Sequence, residues 1–260
     1  MSSSTQPPEE ILTERREGLL LIQFNRPSRK NALTLGMYDT VANLLNAAAQ
    51  DGSVRVVLLH GAGDSYSAGN DLQDFLENPP RPDGSPQQRF VTAFIDFDKP
   101  IVAAVHGAAI GSGTTMLTHC DFVYAAENTR FQMPFVNLAV VPELATSYLI
   151  PNQIGYIPAA EMFLLGTPFN AGRALELGLV TRVVADPLST AMDTALALAE
   201  KPMGALQATK RLLKRWSRES TRTAVKVEVE EFSIRVRSAE AREAINAFLQ
   251  KRRPDFAHLK

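Results

Sequence analysis

Two short runs of small residues, each directly after an apolar, β-branched segment, constrain this chain most strongly. The first, at residues 61–72, reads GAGDSYSAGNDL and follows the apolar run at 54–59. The second, at 106–113, reads HGAAIGSG and follows the apolar run at 101–105. Glycine permits backbone conformations that larger residues resist, and it lets a ligand approach main-chain amides closely. Two such turns at the ends of two strands can direct two N–H groups at one point, as in an oxyanion hole.

Neither turn matches the commoner glycine motifs. Because neither contains Gly-x-Gly-x-x-Gly or Gly-x-x-x-x-Gly-Lys-Ser/Thr, dinucleotide-binding and P-loop interpretations lose their main support. Taken one at a time, each turn is also compatible with an ordinary strand-to-helix connection, since glycine is common in the turns of α/β chains. The residues alone therefore leave both alternatives open.

Composition limits the class of protein and its partners. A chain of 260 residues, 45% of them hydrophobic, can bury a full core as one α/β domain with a helical C-terminal region. A net charge of −1 gives no bias toward nucleic acid or an anionic membrane, so we expect neither as a partner. Apolar runs are too short to span a bilayer, and the first six residues lack a signal-peptide pattern. We therefore expect a cytoplasmic protein.

Cysteine and histidine usage argues against a disulfide or a metal framework. The single cysteine, Cys120, excludes a disulfide within one chain and is interpreted as a core thiol rather than a nucleophile. The four histidines show no Cys/His or His/carboxylate spacing of the kind that metal sites use. The sequence therefore predicts no metal site.

Hydrophobic periodicity divides the chain into three segments. We assign residues 1–17 to an N-terminal extension, 18–185 to a core domain and 186–260 to a helical C-terminal region. In the core, strand-like apolar runs such as 19–24 alternate with helical stretches such as 35–50. This alternation is typical of a layered α/β fold with crossover connections.

Apolar residues in the last segment recur at three- and four-residue spacing. The spacing predicts helices over 191–199, 205–216 and 241–249. The basic stretch at 210–216 is interpreted as a solvated helix face, with Leu212, Leu213 and Trp216 directed toward a core and the charges toward solvent.

Several ordered motifs carry a family resemblance. Residues 67–72 (SAGNDL) resemble the SAGxDL signature of the crotonase (enoyl-CoA hydratase/isomerase) superfamily, and 99–113 (KPIVAAVHGAAIGSG) resemble its second signature. Further matches lie at 25–27, 31–33, 120–121 and 171–180. The resemblance covers nearly the whole chain from about Gly18. It implies a spiral of ββα units with a helical C-terminal trimerisation region, in a homotrimer or a dimer of trimers.

The resemblance also implies a coenzyme A thioester substrate and no separate cofactor. Family chemistry places the thioester carbonyl in an oxyanion hole, whose donors here are by position the backbone amides of Ala68 and Ser112. Such donors stabilise the enolate that forms when a proton leaves the α-carbon. The remaining substrate contacts are expected from Arg29, Ser67, Gly69, Asn70, Asp71, Leu72 and Gly111.

The family's hydratases add water with two glutamates, but the matching positions here are Thr115 and Phe135. Neither residue can hold and deprotonate a water as a carboxylate does. Hydratase or other acyl-CoA lyase activity therefore becomes an alternative, beside a non-catalytic acyl-CoA-binding protein. An apolar Phe135, together with Phe75, is expected to form the wall of the acyl pocket.

A different acid, Glu143, follows Pro142 in a stretch that resembles the peroxisomal-type Δ3,Δ2-enoyl-CoA isomerases, where this glutamate is the catalytic base. Without the resemblance, Glu143 is interpreted as a carboxylate in the first turn of a helix, where the helix dipole favours negative charge. The resemblance implies an isomerase that moves a 3-enoyl-CoA double bond to trans-2-enoyl-CoA. Glu143 then carries the proton from C2 to C4.

One stretch, 78–86, is rich in proline and glycine and is expected to be an exposed, irregular loop. Two interpretations remain open for it. It is either a tolerated surface insertion, or a loop whose flanks Phe75 and Phe90 border the acyl pocket.

Overall fold

The computed structural model describes residues 9–78 and 84–259. Its strands are β1 (Ile11–Arg16), β2 (Leu19–Phe24), β3 (Val56–Gly61), β4 (Ile101–Val105), β5 (Ala108–Ile110), β6 (Phe122–Ala125), β7 (Arg130–Gln132), β8 (Phe169–Asn170) and β9 (Arg182–Val183). Its α-helices are α1 (Leu35–Gln50), α2 (Leu72–Glu77), α3 (Pro86–Asp96), α4 (Ser112–Thr115), α5 (Thr146–Ile154), α6 (Tyr156–Ala160), α7 (Ala171–Glu176), α8 (Pro187–Ala199), α9 (Met203–Lys214), α10 (Arg218–Arg235) and α11 (Ala239–Leu249).

The main sheet has six strands in the order β1-β2-β3-β4-β6-β9. Every neighbouring pair in it is parallel except β1 and β2, which form an antiparallel pair. A second sheet has the order β5-β7-β8. Parallel strands require crossover connections, so the predicted α/β class is confirmed. Strand β1 lies inside the segment 1–17, so the sheet begins before the assigned core boundary at residue 18.

The central strands are buried along almost their whole length because both faces of the sheet are covered. Strands β2, β3 and β4 read LLLIQF, VVLLHG and IVAAV, the continuous apolar pattern of parallel strands between layers. Helix α1 begins after Thr34, whose side chain accepts a hydrogen bond from the Met37 amide, and it packs its apolar stripe in the larger core cluster. Helix α8 covers the other face with Ala191 and Ala195.

The C-terminal region contains the three predicted helices, as α8, α9 and α11, and also α10. The predicted orientation of the basic stretch in and after α9 is wrong. Lys210 is only 5% exposed, and its Nζ donates to the Lys99 carbonyl and to Asp121 Oδ2, each at 2.7 Å. These acceptors make it possible to bury the ammonium group. The apolar side chains instead face outward, 63%, 79% and 85% exposed at Leu212, Leu213 and Trp216.

Other large apolar side chains also stand on the described surface, among them Tyr156, Ile157 and Leu164. The expected trimer remains a prediction.

Cys120 is half-buried against the core, and burial raises the pKa of its thiol to about 12, as expected for an unreactive cysteine.

Within the described ranges, no helix combines the length and the apolar character that crossing a membrane requires. The same residues contain no group of three or more His, Cys, Asp and Glu side chains placed to hold a metal ion. The absence of a metal remains a prediction.

Candidate active site

The two glycine turns lie side by side, as the sequence predicted. Ser67 of the first turn pairs with Ala109 of β5, its amide donating to the Ala108 carbonyl and its carbonyl accepting from the Ile110 amide, both at 2.9 Å. Asn70 forms a second isolated bridge with Leu33. The Ser67 pairing fixes the first turn against the segment that leads into α4, and the Asn70 bridge fixes it against the loop before α1.

Gly69 is the point of closest approach between the turns. Its φ is +81°, and a Cβ placed there would lie 2.5 Å from the Ile110 carbonyl oxygen and 3.4 Å from the Ser112 amide nitrogen. A real Cβ does not approach backbone oxygen so closely, so the position requires glycine. Residue 70 is thereby brought next to the start of α4.

The structure corrects the predicted pair of oxyanion donors at one position. The Ala68 amide donates to the Lys30 carbonyl at 2.8 Å, so it is already engaged within the fold and Ala68 is the wrong residue. Within residues 9–78 and 84–259, neither the Asn70 amide nor the Ser112 amide has a hydrogen-bond acceptor. Ser112 is the first residue of α4, where an N–H has no acceptor inside the helix. The two available amides are therefore those of Asn70 and Ser112.

Glu143 contacts the same residue that supplies one of these amides. The Ser112 hydroxyl donates a short hydrogen bond to Glu143 Oε1. The Tyr38 hydroxyl, from the buried face of α1, lies 2.7 Å from Ser112 Oγ and 2.6 Å from Asn70 Oδ1. Its single proton can go to either oxygen. The Glu143 carboxyl group and residues 70 and 112 thus belong to one connected polar network.

The environment makes Glu143 a stronger base than an exposed glutamate. Burial raises the pKa of its carboxyl group above the ordinary value of 4.5, although hydrogen bonds from Ser112 and Asn70 lower it. Burial, with the nearby Glu143 charge, also raises the pKa of Tyr38 well above its ordinary value. Tyr38 therefore remains a neutral hydrogen-bond partner beside Glu143.

A strained turn, rather than a helix, carries Glu143. Leu144 and Ala145 have φ values of +59° and +62°, in the left-handed region that non-glycine residues seldom adopt. Helix α5 begins only at Thr146, whose amide and hydroxyl donate to the Glu143 carbonyl at 3.1 and 2.6 Å. The alternative interpretation of Glu143 as a first-turn helix carboxylate is therefore wrong.

A second carboxylate, which the sequence analysis did not identify, lies behind this turn. Glu228 of α10 accepts hydrogen bonds from the Ala145 amide at 2.6 Å and the Ser147 amide at 2.8 Å. Burial is the main cause that raises its pKa to about 7, and the charge of Glu143 adds to it. In the sequence, Glu228 belongs to an acidic stretch at 228–231, to which no role in the site was assigned.

Beside the amides lies a cavity of about 460 Å³, within the usual size for a small-molecule site. Its wall is mainly apolar and includes both predicted acyl-pocket residues, Phe75 and Phe135, together with Phe232 and Ile245 from the C-terminal helices. The predicted contact residues on the same wall are Arg29, Asn70, Asp71, Leu72 and Gly111, and Ala68 also lines it.

Two predicted contact residues have side chains that serve the fold. Ser67 is fully buried, and its hydroxyl donates to the Asn31 carbonyl at 2.9 Å. Asp71 caps α2 by accepting from the Gln73 amide at 3.1 Å and pairs with Arg26 at 3.0 Å. Each side chain therefore shapes the turn. The backbone amide and carbonyl of Ser67 are engaged with β5 as well, so the prediction that Ser67 contacts the substrate is not supported.

The interpretation that Phe90 borders the acyl pocket is wrong. Its ring is 1% exposed, packs 5.0 Å from the Tyr38 ring and 4.7 Å from the Phe94 ring, and belongs to the core. Of the loop at 78–86, residues 79–83 lie outside the described residues. Ser85 caps α3 by accepting from the Gln88 amide.

The hydratase positions offer no carboxylate in the folded chain either. Thr115 is buried, and its hydroxyl has no hydrogen-bond partner in the described part of the chain. Phe135 is also buried and packs near Phe163, with ring centroids 6.4 Å apart. The site therefore presents Glu143 without the two acids that water addition uses in the family's hydratases.

Comparisons with known proteins agree with this fold. The solved structure of Pseudomonas aeruginosa OdaA has 42% sequence identity to this chain and a TM-score of 0.91, and the match covers 93% of this chain and 99% of that one. Human enoyl-CoA delta isomerase 2 is 35% identical over 94% of this chain and 64% of its own length. The 2,3-dehydroadipyl-CoA hydratase of Escherichia coli K12 is 33% identical, over 95% of this chain and 98% of its own.

The chain thus spans less than two thirds of the human isomerase but nearly all of the bacterial hydratase. The relatives include both isomerases and hydratases, so they do not by themselves fix the reaction. The family profile for enoyl-CoA hydratase/isomerase matches residues 14–259, almost the whole described chain. With the paired glycine turns and the α/β fold, this match shows that the chain belongs to the enoyl-CoA hydratase/isomerase family, the crotonase superfamily.

Proposed function

We propose that this protein is an isomerase that shifts the double bond of a 3-enoyl-CoA to give the trans-2-enoyl-CoA. The observation that carries the proposal is the contact between Ser112 and Glu143. It places one carboxyl group, with a raised pKa, beside the two amides that lack acceptors in the described chain.

The amides supply the electrostatic part of the reaction. With the thioester oxygen between the N–H groups of Asn70 and Ser112, negative charge that develops on that oxygen meets two fixed donors. Removing one such donor costs about 3–4 kcal/mol of barrier in acyl-transfer enzymes. The same stabilisation lowers the cost of forming the dienolate here.

Glu143 supplies the proton transfer. Its carboxylate takes a proton from C2, the electrons delocalise over the dienolate, and the same carboxyl group returns the proton at C4. The reaction adds and removes no atoms, so one carboxyl group is sufficient. The apolar wall of Phe75, Phe135 and Phe232 keeps water from the intermediate.

The rest of the substrate fits the cavity and its surroundings. The acyl chain occupies the apolar wall, and the exposed Arg29 at the cavity is placed to neutralise a phosphate of the coenzyme A moiety. No cofactor is needed, because the thioester itself accepts the electrons. As in the family, we propose a homotrimer or a dimer of trimers.

The first expected result is conversion of 3-hexenoyl-CoA to 2-hexenoyl-CoA, with the same rate in the presence of a metal chelator. The appearance of the conjugated thioester, followed by absorbance and chromatography, measures the reaction. Hydration of 2-hexenoyl-CoA, measured in parallel, is the control. Strong hydration without turnover of the 3-enoyl substrate would contradict the proposal.

The second expected result concerns pH. Glu143 must be ionised to accept the C2 proton, so kcat/KM should fall as the pH is lowered through its pKa. Because burial raises that pKa, the midpoint should lie above the ordinary value of 4.5. A pH–rate profile with a substrate that titrates nowhere in this range gives the midpoint. A rate that stays constant down to that ordinary value would show that Glu143 is not the base.

A further inference from the structure

Glu228 is a buried carboxylate for which the proposed reaction has no direct use. It lies on α10, is only 6% exposed, and is separated by more than eighty residues from the turn that it contacts. Like Glu143, it lines a smaller neighbouring chamber and not the wall of the large cavity. Both of its oxygens are nevertheless engaged, one with the Ala145 amide and one with the Ser147 amide.

Those two amides need hydrogen-bond acceptors from outside the Glu143 turn. Helix α5 begins with Ala145 as its N-cap residue, in a left-handed conformation and without a side-chain cap of its own. The first N–H groups of a helix need acceptors from elsewhere. Glu228 supplies them from α10, and an anion at a helix N-terminus is also favoured by the helix dipole.

We propose that Glu228 is a positioning residue, whose carboxylate holds the turn at residues 144–147 and thereby keeps Glu143 against Ser112. The left-handed φ values of Leu144 and Ala145 are unfavourable for residues with a Cβ, so the turn needs an external restraint. The inference rests on the proposed function, since it requires Glu143 to be the base.

Glu143 and Glu228 share one small chamber. Its volume is about 40 Å³, and its other polar walls near α3 are the neutral Ser85, Gln87 and Gln88. Helix α5 reads TSYLIPNQI and carries no charged side chain, while Arg89 of α3 is paired with Asp39 at 2.6 Å. On α10 itself, Lys226 and Glu230 are exposed. The charge of Glu143 therefore adds to burial in raising the pKa of Glu228 to about 7.

Glu228→Gln separates this role from a general effect on folding. Glutamine keeps the shape but replaces one acceptor oxygen with a donor NH2 group, so one of the two amides loses its partner and the charge is lost. Small misplacements of a catalytic group cost up to about a hundredfold in rate. We expect kcat with 3-hexenoyl-CoA to fall by about tenfold or more, and KM to stay within about twofold because the cavity wall is unchanged.

The matched control is Glu230→Gln, which neutralises an exposed glutamate two residues further along the same helix. It should leave kcat, KM and the pH profile unchanged. Glu228→Asp should restore kcat only partly, since its shorter side chain cannot reach both amides. Circular dichroism and thermal unfolding establish that each variant is folded.

An unchanged kcat in folded Glu228→Gln would overturn the positioning role, and so would a loss that appears in KM rather than in kcat. If the glutamine variant does not fold, the aspartate variant decides the question: a lowered kcat at unchanged KM supports the role, and an unchanged kcat overturns it. Full activity in Glu143→Gln would instead refute the proposed function itself, so the two failures are distinguishable.

Discussion

Glu143→Gln is expected to lower the turnover of 3-hexenoyl-CoA by at least about a hundredfold, the lower end of what a positioned base contributes. Glutamine keeps the size of the side chain and can still accept the hydrogen bond from Ser112, but it cannot take up the C2 proton. Binding of acyl-CoA should change little, because the amides of residues 70 and 112 and the wall of the large cavity remain in place. Single-turnover kinetics and calorimetric titration with a saturated acyl-CoA measure the two effects separately.

Thr115→Ala is the matched control for this variant. Thr115 stands where a hydratase has a glutamate, and its buried hydroxyl has no partner in the described residues. Its removal should leave isomerisation within about tenfold, equivalent to about 1.4 kcal/mol of barrier. If instead Thr115→Ala abolished turnover and Glu143→Gln did not, the active site would have been assigned to the wrong residues.

The central sheet and its covering helix were predictable because local pattern and burial agree there. The runs that became β2, β3 and β4 are continuously apolar, and α1 has a clear helical stripe that begins after a threonine cap. Strand β1 reads ILTERR and is exposed at all but its first residue, so its composition indicated an extension. Its place in the sheet comes from pairing with β2, which the sequence of β1 does not reveal.

The predicted orientation of the basic stretch in and after α9 was wrong for a related reason. A lysine within a basic stretch is normally solvated, and only the fold shows that the Lys99 carbonyl and Asp121 are close enough to bury Lys210. The same tertiary acceptors leave Leu213 and Trp216 outside. Pattern alone cannot supply the partners that make it possible to bury a charge.

At the site, the sequence indicated the two turns and Glu143 but not the connections between them. The choice between Ala68 and Asn70 as a donor depends on the hydrogen bond that the Ala68 amide makes to Lys30, a residue of an earlier loop. Tyr38 was not singled out from the sequence, although a tyrosine hydroxyl in the buried stripe of a helix indicates that a polar partner is near. Glu228 carried no comparable signal, because its partners are backbone amides far away in sequence.

Gly69→Ala should remove most activity, since Gly69 sets the position of the Asn70 amide. A Cβ at residue 69 meets the Ile110 carbonyl oxygen at 2.5 Å, and this backbone oxygen belongs to β5 and cannot rotate away. The turn must therefore move, taking the amide out of the oxyanion hole. Loss of one such donor lowers kcat by about a hundredfold to a thousandfold. We expect a fall in that range, measured with 3-hexenoyl-CoA.

Gly178→Ala separates this effect from backbone strain alone. Gly178 has a φ of +72°, close to that of Gly69, but a Cβ there meets no heavy atom within 4 Å. Both variants therefore bear the cost of a left-handed alanine, about 1 kcal/mol of unfolding free energy, and both should show a lower Tm. Only Gly69→Ala also forces the turn against β5. Equal losses of activity in the two variants would mean that strain, rather than the placement of the Asn70 amide, controls the rate, and the Asn70 amide would then be the wrong oxyanion donor.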